Sequence, residues 1–217
     1  MFTLFDMKDH WRSALAVLIV LAVFVLALAL RIRRLREDPS ALPYSQRLWT
    51  VFPRPFVTRA RLREMLGPEG GLRVLEVGPG TGYYALHAAG WISPGGTLEI
   101  LDIQQQMLDH TMRRAHKAGV ENITATRGDA RRLPYPDDTF DAAYLVATLG
   151  EVPDKQRALE ELVRVLKPGG RLVVGEGQPD PHMVGLQTLK ELAEAAGLDF
   201  ERRTGGPLGY FAGFEAP

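Results

Sequence analysis

Cysteine is absent from the chain, which excludes disulfides, thiolate nucleophiles and cysteine-held zinc together. Histidine is sparse. The five present are scattered, with no H-x-H or H-x-x-x-H pair, so no metal site is expected. Net charge is lacking as well, since 26 Lys and Arg balance 26 Asp and Glu. The balance is uneven along the chain. From Arg31 to Glu64, nine arginines face three acids, an excess of +6. Residues 1–30 are neutral, so residues 65–217 carry −6. That sign argues against a nucleic-acid substrate, which would favour a basic face on the catalytic part.

Charge is missing entirely from Ser13 to Leu30, where twelve of eighteen residues are Leu, Val, Ile or Phe. Their transfer into a bilayer is favourable by roughly 4–7 kcal/mol. As a helix the run spans about 27 Å, a little under the about 30 Å of a hydrocarbon core. A cleaved signal would carry its basic residues before the run and a small-residue cleavage site after it. Here Arg31, Arg33, Arg34 and Arg36 follow it. A buried core helix would rarely be apolar on every face. The expectation is a single-pass transmembrane helix over 13–30 behind a short 1–12 segment. By the positive-inside rule, the carboxyl side is cytoplasmic. Residues 31–55 then form a basic and aromatic juxtamembrane linker, with Leu48, Trp49, Val51 and Phe52 among Arg47 and Arg54. Such a segment suits either a membrane interface or a linker wrapped around the domain. A helix over 56–66 is expected to pack on the sheet at the ligand end, stopping at Gly67-Pro68.

The remainder, 56–217, is long enough for one domain with a sizeable core, and its composition is ordinary for a globular protein. It is organised around Val74-Leu75-Glu76-Val77-Gly78-Pro79-Gly80-Thr81-Gly82. The apolar β-branched run reads as a buried strand. Glycines at every second position then give a bare turn that admits positive φ and close approach of a ligand. A helix follows from Tyr83. This strand–turn–helix receives nucleotide-like ligands at the carboxyl end of a strand in an open α/β sheet. A dinucleotide fingerprint would place its third glycine where Tyr83 stands, which disfavours a nicotinamide enzyme.

The E-x-G-x-G-x-G pattern of Glu76 to Gly82 resembles motif I of the class I S-adenosylmethionine-dependent methyltransferases. The likeness extends to Thr97–Asp102, a strand ending in an acid 20 residues after Gly82. It extends also to Gly128-Asp129-Ala130, to Leu133–Asp141 and to Leu166–Leu172, in the family's order. It covers roughly residues 67–180 and is closest to the methyltransferase type 11 group that includes the ubiquinone and menaquinone biosynthesis enzymes. The resemblance implies an α/β, Rossmann-like seven-stranded sheet of order 3-2-1-4-5-7-6 with strand 7 antiparallel. The patterning places strands at 72–77, 97–102, 122–127, 140–146, 171–176, 198–204 and 208–214. It places helices at 82–90, 104–118, 154–166 and 183–196.

S-adenosylmethionine is the cofactor the resemblance implies. Glu76, Gly78, Gly80 and Gly82 would shape the pocket for its amino-acid part. Asp102 would take the ribose hydroxyls and Ile103 would pack beside the adenine. Asp129 would accept from the adenine amine, with Ala130 donating its amide. Methyl transfer from a sulfonium needs alignment and exclusion of water, and a base only where the acceptor holds its proton. Two ionisable residues fall at the catalytic edge, Glu151 after strand 4 and His182 after strand 5. Each has a bland alternative, as a helix-start carboxylate or a cap. The expected function is methylation of a small, hydrophobic or membrane-resident acceptor such as a quinone precursor or lipid. A soluble small-molecule acceptor and a non-catalytic cofactor-binding membrane scaffold stay open, as does the oligomeric state.

Overall fold

The computed structural model describes residues 4–37, 39–50 and 54–217; the side chains of 4–11, 32, 35–37, 49 and 50 are outside that description. The expectations placed on Trp49, Val51 and Phe52 fall outside the described residues. Two compact units are present, Met1–Asp38 and Pro39–Pro217.

The first unit is one helix, α1 (Leu4–Glu37). Its Arg12–Arg31 window has a mean hydropathy of 3.1, long and apolar enough to cross a membrane. The helix runs beyond the expected 13–30 through the arginine cluster. Arginine and leucine are good helix formers, and no glycine or proline intervenes before Pro39.

In the second unit, a 3-10 turn (Tyr44–Thr50) precedes α2 (Arg59–Leu66). The sequence pattern put the start of α2 at Phe56. It starts later because Thr58 caps it, its Oγ1 accepting from the Arg61 amide at 3.3 Å. Gly67, at φ 54°, ends it with a left-handed turn.

Seven strands follow: β1 (Arg73–Val77), β2 (Thr97–Asp102), β3 (Ile123–Arg127), β4 (Phe140–Val146), β5 (Leu166–Gly177), β6 (Asp199–Gly206) and β7 (Gly209–Glu215). They lie in the order 3-2-1-4-5-7-6. The pairs among β1 to β5 are parallel, and β7 is antiparallel to both β5 and β6. This is the Rossmann-like sheet that the motif order implied. The helices between them are α3 (Ala85–Trp91), α4 (Gln105–Lys117), α5 (Lys155–Val165) and α6 (Leu186–Ala195).

Two boundaries moved for identifiable reasons. The first helix of the core begins at Ala85 rather than 82, because Gly82 still holds φ 79°. Strand β5 begins at Leu166 rather than 171, because Leu166 pairs with Phe140 before an irregularity resets the register at Ala142 and Arg171.

The central strands β1, β2, β4 and β5 are covered on both faces over most of their length, while the edge strands β3 and β6 are more exposed. On one face Leu75, Leu145 and Val174 pack with Leu159 and Leu162 of α5 and Leu189 of α6. On the other, Val74, Ile100, Tyr144 and Phe211 pack with Leu62 and Met65 of α2, Ala85 and Ala88 of α3, and Leu108 of α4. Gly175 leaves room for the Phe211 ring, since a Cβ there would lie 2.4 Å from its Cε1. The two layers fix the carboxyl ends of β1, β2, β4 and β5 along one edge. The Gly209 end of β7 joins it through its pairing with Gly177.

Candidate functional site

The glycine turn leaves the end of β1 with all three glycines in the left-handed region, Gly78 at φ 73°, Gly80 at 57° and Gly82 at 79°. The Gly78 amide donates to the Leu101 carbonyl at 2.8 Å, which ties the turn to β2. There is no room for a side chain at either end of it. A Cβ on Gly78 would sit 2.4 Å from Thr148, and one on Gly82 would sit 2.7 Å from Leu86. Thr111 of α4 donates to the Gly80 carbonyl at 3.1 Å. The turn is held open from below, with its backbone facing the carboxyl edge.

Glu76 lies one position before the end of β1 and is 2% exposed. The Tyr144 hydroxyl, from adjacent β4, donates to its Oε2 at 2.8 Å. Burial is the largest influence on this carboxyl and pushes its pKa up to about 8, against the opposing pull of Tyr144 and the Arg54 charge. Glu76 is therefore mostly protonated at neutral pH.

Asp102 closes β2 beside the same turn. Its Oδ1 accepts from the Gln104 amide at 2.8 Å. Burial raises its pKa to about 6, opposed by backbone amides of Gln104, Gly80 and Ile103. Ile103 next to it is 50% exposed, an apolar face at the mouth of the site. The Gly128 amide donates to the Asp102 carbonyl at 3.1 Å, bringing the 128–130 turn alongside. Ala130 is buried there. The Asp129 carboxylate faces the Arg131 guanidinium at 2.7 Å, which with its other hydrogen bonds lowers its pKa. Glu76, the glycines, Asp102, Ile103, Asp129 and Ala130 thus line one continuous edge.

The far side of the turn holds the second group of candidates. Ala147, at φ 52°, ends β4 in a conformation uncommon for a residue with a Cβ. A 3-10 turn (Leu149–Glu151) follows. Burial raises the Glu151 pKa to about 7, opposed by the Leu42 amide, which donates to its Oε2 at 3.1 Å. Asp180 accepts from the His182 amide at 2.8 Å, and its Oδ1 lies 3.8 Å from His182 Nδ1. The loops interlock at Gly150, where a Cβ would lie 2.0 Å from the His182 carbonyl oxygen. Beneath them Glu176 is fully buried. Its Oε2 accepts from the Val184 amide at 3.2 Å, and Oε1 has no hydrogen-bond partner among the described residues. Burial pushes its pKa to about 8.

Four participants were not singled out in the sequence. Tyr144 sits in a strand buried on both faces, where no alternation marks it. Arg54 lies within the basic segment yet acts on Glu76, Tyr84, Glu151 and Asp180 by its charge. Leu42 and Gln104 act through hydrogen bonds that no local pattern announces. Only Arg54 carried a usable signal, as the arginine between two prolines just before the domain.

These residues fit S-adenosylmethionine. The bare turn offers backbone without Cβ atoms, the two acids suit an ammonium and a pair of ribose hydroxyls, and the exposed Ile103 suits a flat apolar ring.

The buried acids give the empty site a defined pH response. Glu76 and Glu176 both have folded pKa values near 8, raised from 4.5. The folded chain therefore binds more protons than the unfolded chain between those values. Their stabilising contribution is full below 4.5 and is lost as pH rises through 8. Urea unfolding of the full chain in detergent should show stability falling from about pH 6 to about pH 8.5. Glu176→Gln should flatten the slope. Stability that is constant or rises over that range would contradict the assigned protonation.

The ubiE/COQ5 methyltransferase family model matches residues 54–188. The chain is 37% identical over 114 residues to the ubiquinone/menaquinone biosynthesis C-methyltransferase UbiE of Saccharophagus degradans, covering 52% of this chain and 46% of that protein. It is 31% identical over 138 residues to the demethylmenaquinone methyltransferase of Anoxybacillus flavithermus, covering 64% of this chain and 58% of the relative. The chain thus spans about half the length of the curated relatives it matches. The crystal structure of an S-adenosylmethionine-dependent methyltransferase from Aquifex aeolicus superposes with a TM-score of 0.75 at 22% identity, over 82% of this chain and 100% of that one. The [4+2]-cyclase SpnF superposes at 0.62 with 30% identity, over 67% of this chain and 57% of that one, so the fold alone does not fix the reaction. With the family model covering more than half of it and the sheet order and glycine turn in place, the chain belongs to the ubiE/COQ5 methyltransferase family and has the fold of class I S-adenosylmethionine-dependent methyltransferases.

Proposed function

We propose that the chain methylates a ring carbon of a quinone precursor held at a membrane surface. The observation that supports the transfer chemistry is that Glu76 and Asp102 lie near the carboxyl ends of adjacent strands β1 and β2, beside three left-handed glycines. The names of the relatives, a C-methyltransferase of quinone biosynthesis and a demethylmenaquinone methyltransferase, support the acceptor class.

The bound sulfonium supplies an activated methyl group, so the protein has to orient and shield it. Glu76 would give up its proton and hold the cofactor's ammonium group, while Asp102 would accept from the ribose hydroxyls and Ile103 would lie against the adenine. Asp129 and the Ala130 amide read the adenine edge. Glu151 is the acceptor's base. With a pKa near 7 it is partly ionised at neutral pH and takes the proton of a ring hydroxyl, which raises electron density at the adjacent ring carbon. With the cofactor bound, the ring carbon would take the methyl group as the sulfur–methyl bond broke, and would then lose its proton. His182, beside Asp180, is the second acid–base candidate, positioned to pass that proton on.

Incubation of full-length protein with methyl-labelled S-adenosylmethionine and reduced demethylmenaquinone should give a product with one added carbon-bound methyl group. Asp102→Ala should weaken cofactor binding by about 1.5–3 kcal/mol, the worth of hydrogen bonds to a charged acceptor. Label found only on a water-soluble compound of a cell extract would favour the soluble-acceptor reading. Cofactor binding with no transfer to any extract component would favour a scaffold.

The anchor belongs to the same proposal: residues 13–30 span the membrane after a 1–12 segment. Residues 31–55 link to a methyltransferase domain over 56–217 on the cytoplasmic side. The apolar Arg12–Arg31 window and the arginine excess that follows support it. The full-length chain should sediment with membranes and resist carbonate extraction, with a reporter after Pro217 cytoplasmic. Recovery of the intact chain in the soluble fraction would contradict the anchor.

A further inference from the structure

Residues 39–48 lie across the carboxyl edge and touch both halves of the site. Gln104 makes the central contact. Its Nε2 donates to the Leu42 carbonyl at 2.9 Å, and its Oε1 accepts from the Tyr44 amide at 3.0 Å. One side-chain amide thus reads the backbone of residues 42 and 44 as a neighbouring strand would. The backbone amide of the same glutamine donates to Asp102. The Leu42 amide, held between these bonds, donates to Glu151. Farther along, the Tyr44 hydroxyl meets His110 Nδ1 at 3.3 Å, and the Arg47 guanidinium covers the Tyr44 ring at 4.5 Å.

We propose that Gln104 is a positioning residue that latches the 39–48 segment over the site and so holds the Leu42 amide on Glu151. This inference rests on the reading of Glu151 as the acceptor's base. The latch couples two events. Anything bound against Asp102 and Ile103 sits next to the glutamine, and whatever shifts the glutamine shifts Leu42 away from Glu151.

The groups that face Glu151 are the Leu42 amide, Asp180, Asp102, Glu176 and Arg54. The Leu42 amide and Arg54 favour its charged form, while Asp180 and Asp102 oppose it. Losing the Leu42 bond therefore disfavours the carboxylate, and the acidic limb of the rate profile should move to higher pH.

Gln104→Leu keeps the volume and removes both hydrogen bonds, while Gln104→Glu keeps the acceptor for Tyr44 alone. In full-length protein in detergent, hydrogen exchange at the Leu42 and Tyr44 amides should be slow in the wild type. In Gln104→Leu it should be at least about tenfold faster, the ratio that a 1.4 kcal/mol loss of a closed state produces. Gln104→Glu should slow Tyr44 again but leave Leu42 fast. The acidic limb of kcat/KM should move up in Gln104→Leu while the melting temperature stays within that of the wild type. Unprotected amides in the wild type, or exchange and acidic limb both unchanged in Gln104→Leu, would overturn the latch. A Glu151→Gln variant with wild-type rate and profile would instead overturn Glu151 as the base, and the exchange data would still judge the latch separately.

Discussion

The rest of the site depends on a carboxyl group kept out of water. Glu76 is placed at the end of β1, between β2 and β4, with Tyr144 as its hydrogen-bond partner. An unpaired charge at such depth is costly, and the acid responds by holding its proton. That makes the empty pocket self-consistent. It also prepares the pocket for a cation, because a ligand ammonium can replace the proton. The glycine turn exists to let a ligand reach this group, since a Cβ at Gly78 or Gly82 would meet Thr148 or Leu86 instead.

Around this centre, charge is distributed by strand ends rather than by sequence neighbours. Asp102 comes from β2, Glu151 from the turn after β4, and Glu176 and Asp180 from the end of β5. Burial above all, with repulsion from neighbouring acids added, raises the pKa values of Glu76, Glu151 and Glu176 into the 7 to 8 range. Arg54 opposes Glu76, Glu151 and Asp180 in this, and it reaches them from the segment that enters the domain. In the proposed acceptor site, carboxyls poised near neutrality and an arginine delivered by the entry segment would tie catalysis to how that segment is held.

Much of the fold could be read from the sequence because the pairs among β1 to β5 are parallel and the central strands are covered on both faces. Val74–Val77 and Leu98–Leu101 are apolar runs interrupted once each, by Glu76 and Glu99, Ala142–Val146 is continuous, and the glycine turn fixes which end faces the ligand. Strand β5 was harder. Its Lys167-Pro168-Gly169-Gly170 stretch reads as a turn, yet Leu166 before it already pairs with β4. The residues proposed to hold the cofactor stood out in the sequence because they cluster within motifs that fall at strand ends. The contacts on the proposed acceptor side did not. Tyr144 carries no pattern inside a fully buried strand, and the Leu42–Glu151 and Gln104–Tyr44 contacts join residues far apart in the chain through backbone atoms, whose pairing leaves no mark on residue type. The extent of α1 was underestimated because charged arginines mark the edge of an apolar run but not the end of a helix.

The central claim is that S-adenosylmethionine binds here by converting a protonated Glu76 to the carboxylate. Calorimetry of cofactor binding to the full chain at pH 7, in phosphate and in Tris, tests it directly, because the two buffers differ in ionisation enthalpy. With the Glu76 pKa near 8 in the empty site, binding should release a proton, so the apparent enthalpy should differ between the buffers in the sense of proton release. Glu76→Gln should remove most of that difference. Equal enthalpies in the two buffers for the wild type, or proton uptake on binding, would contradict the account.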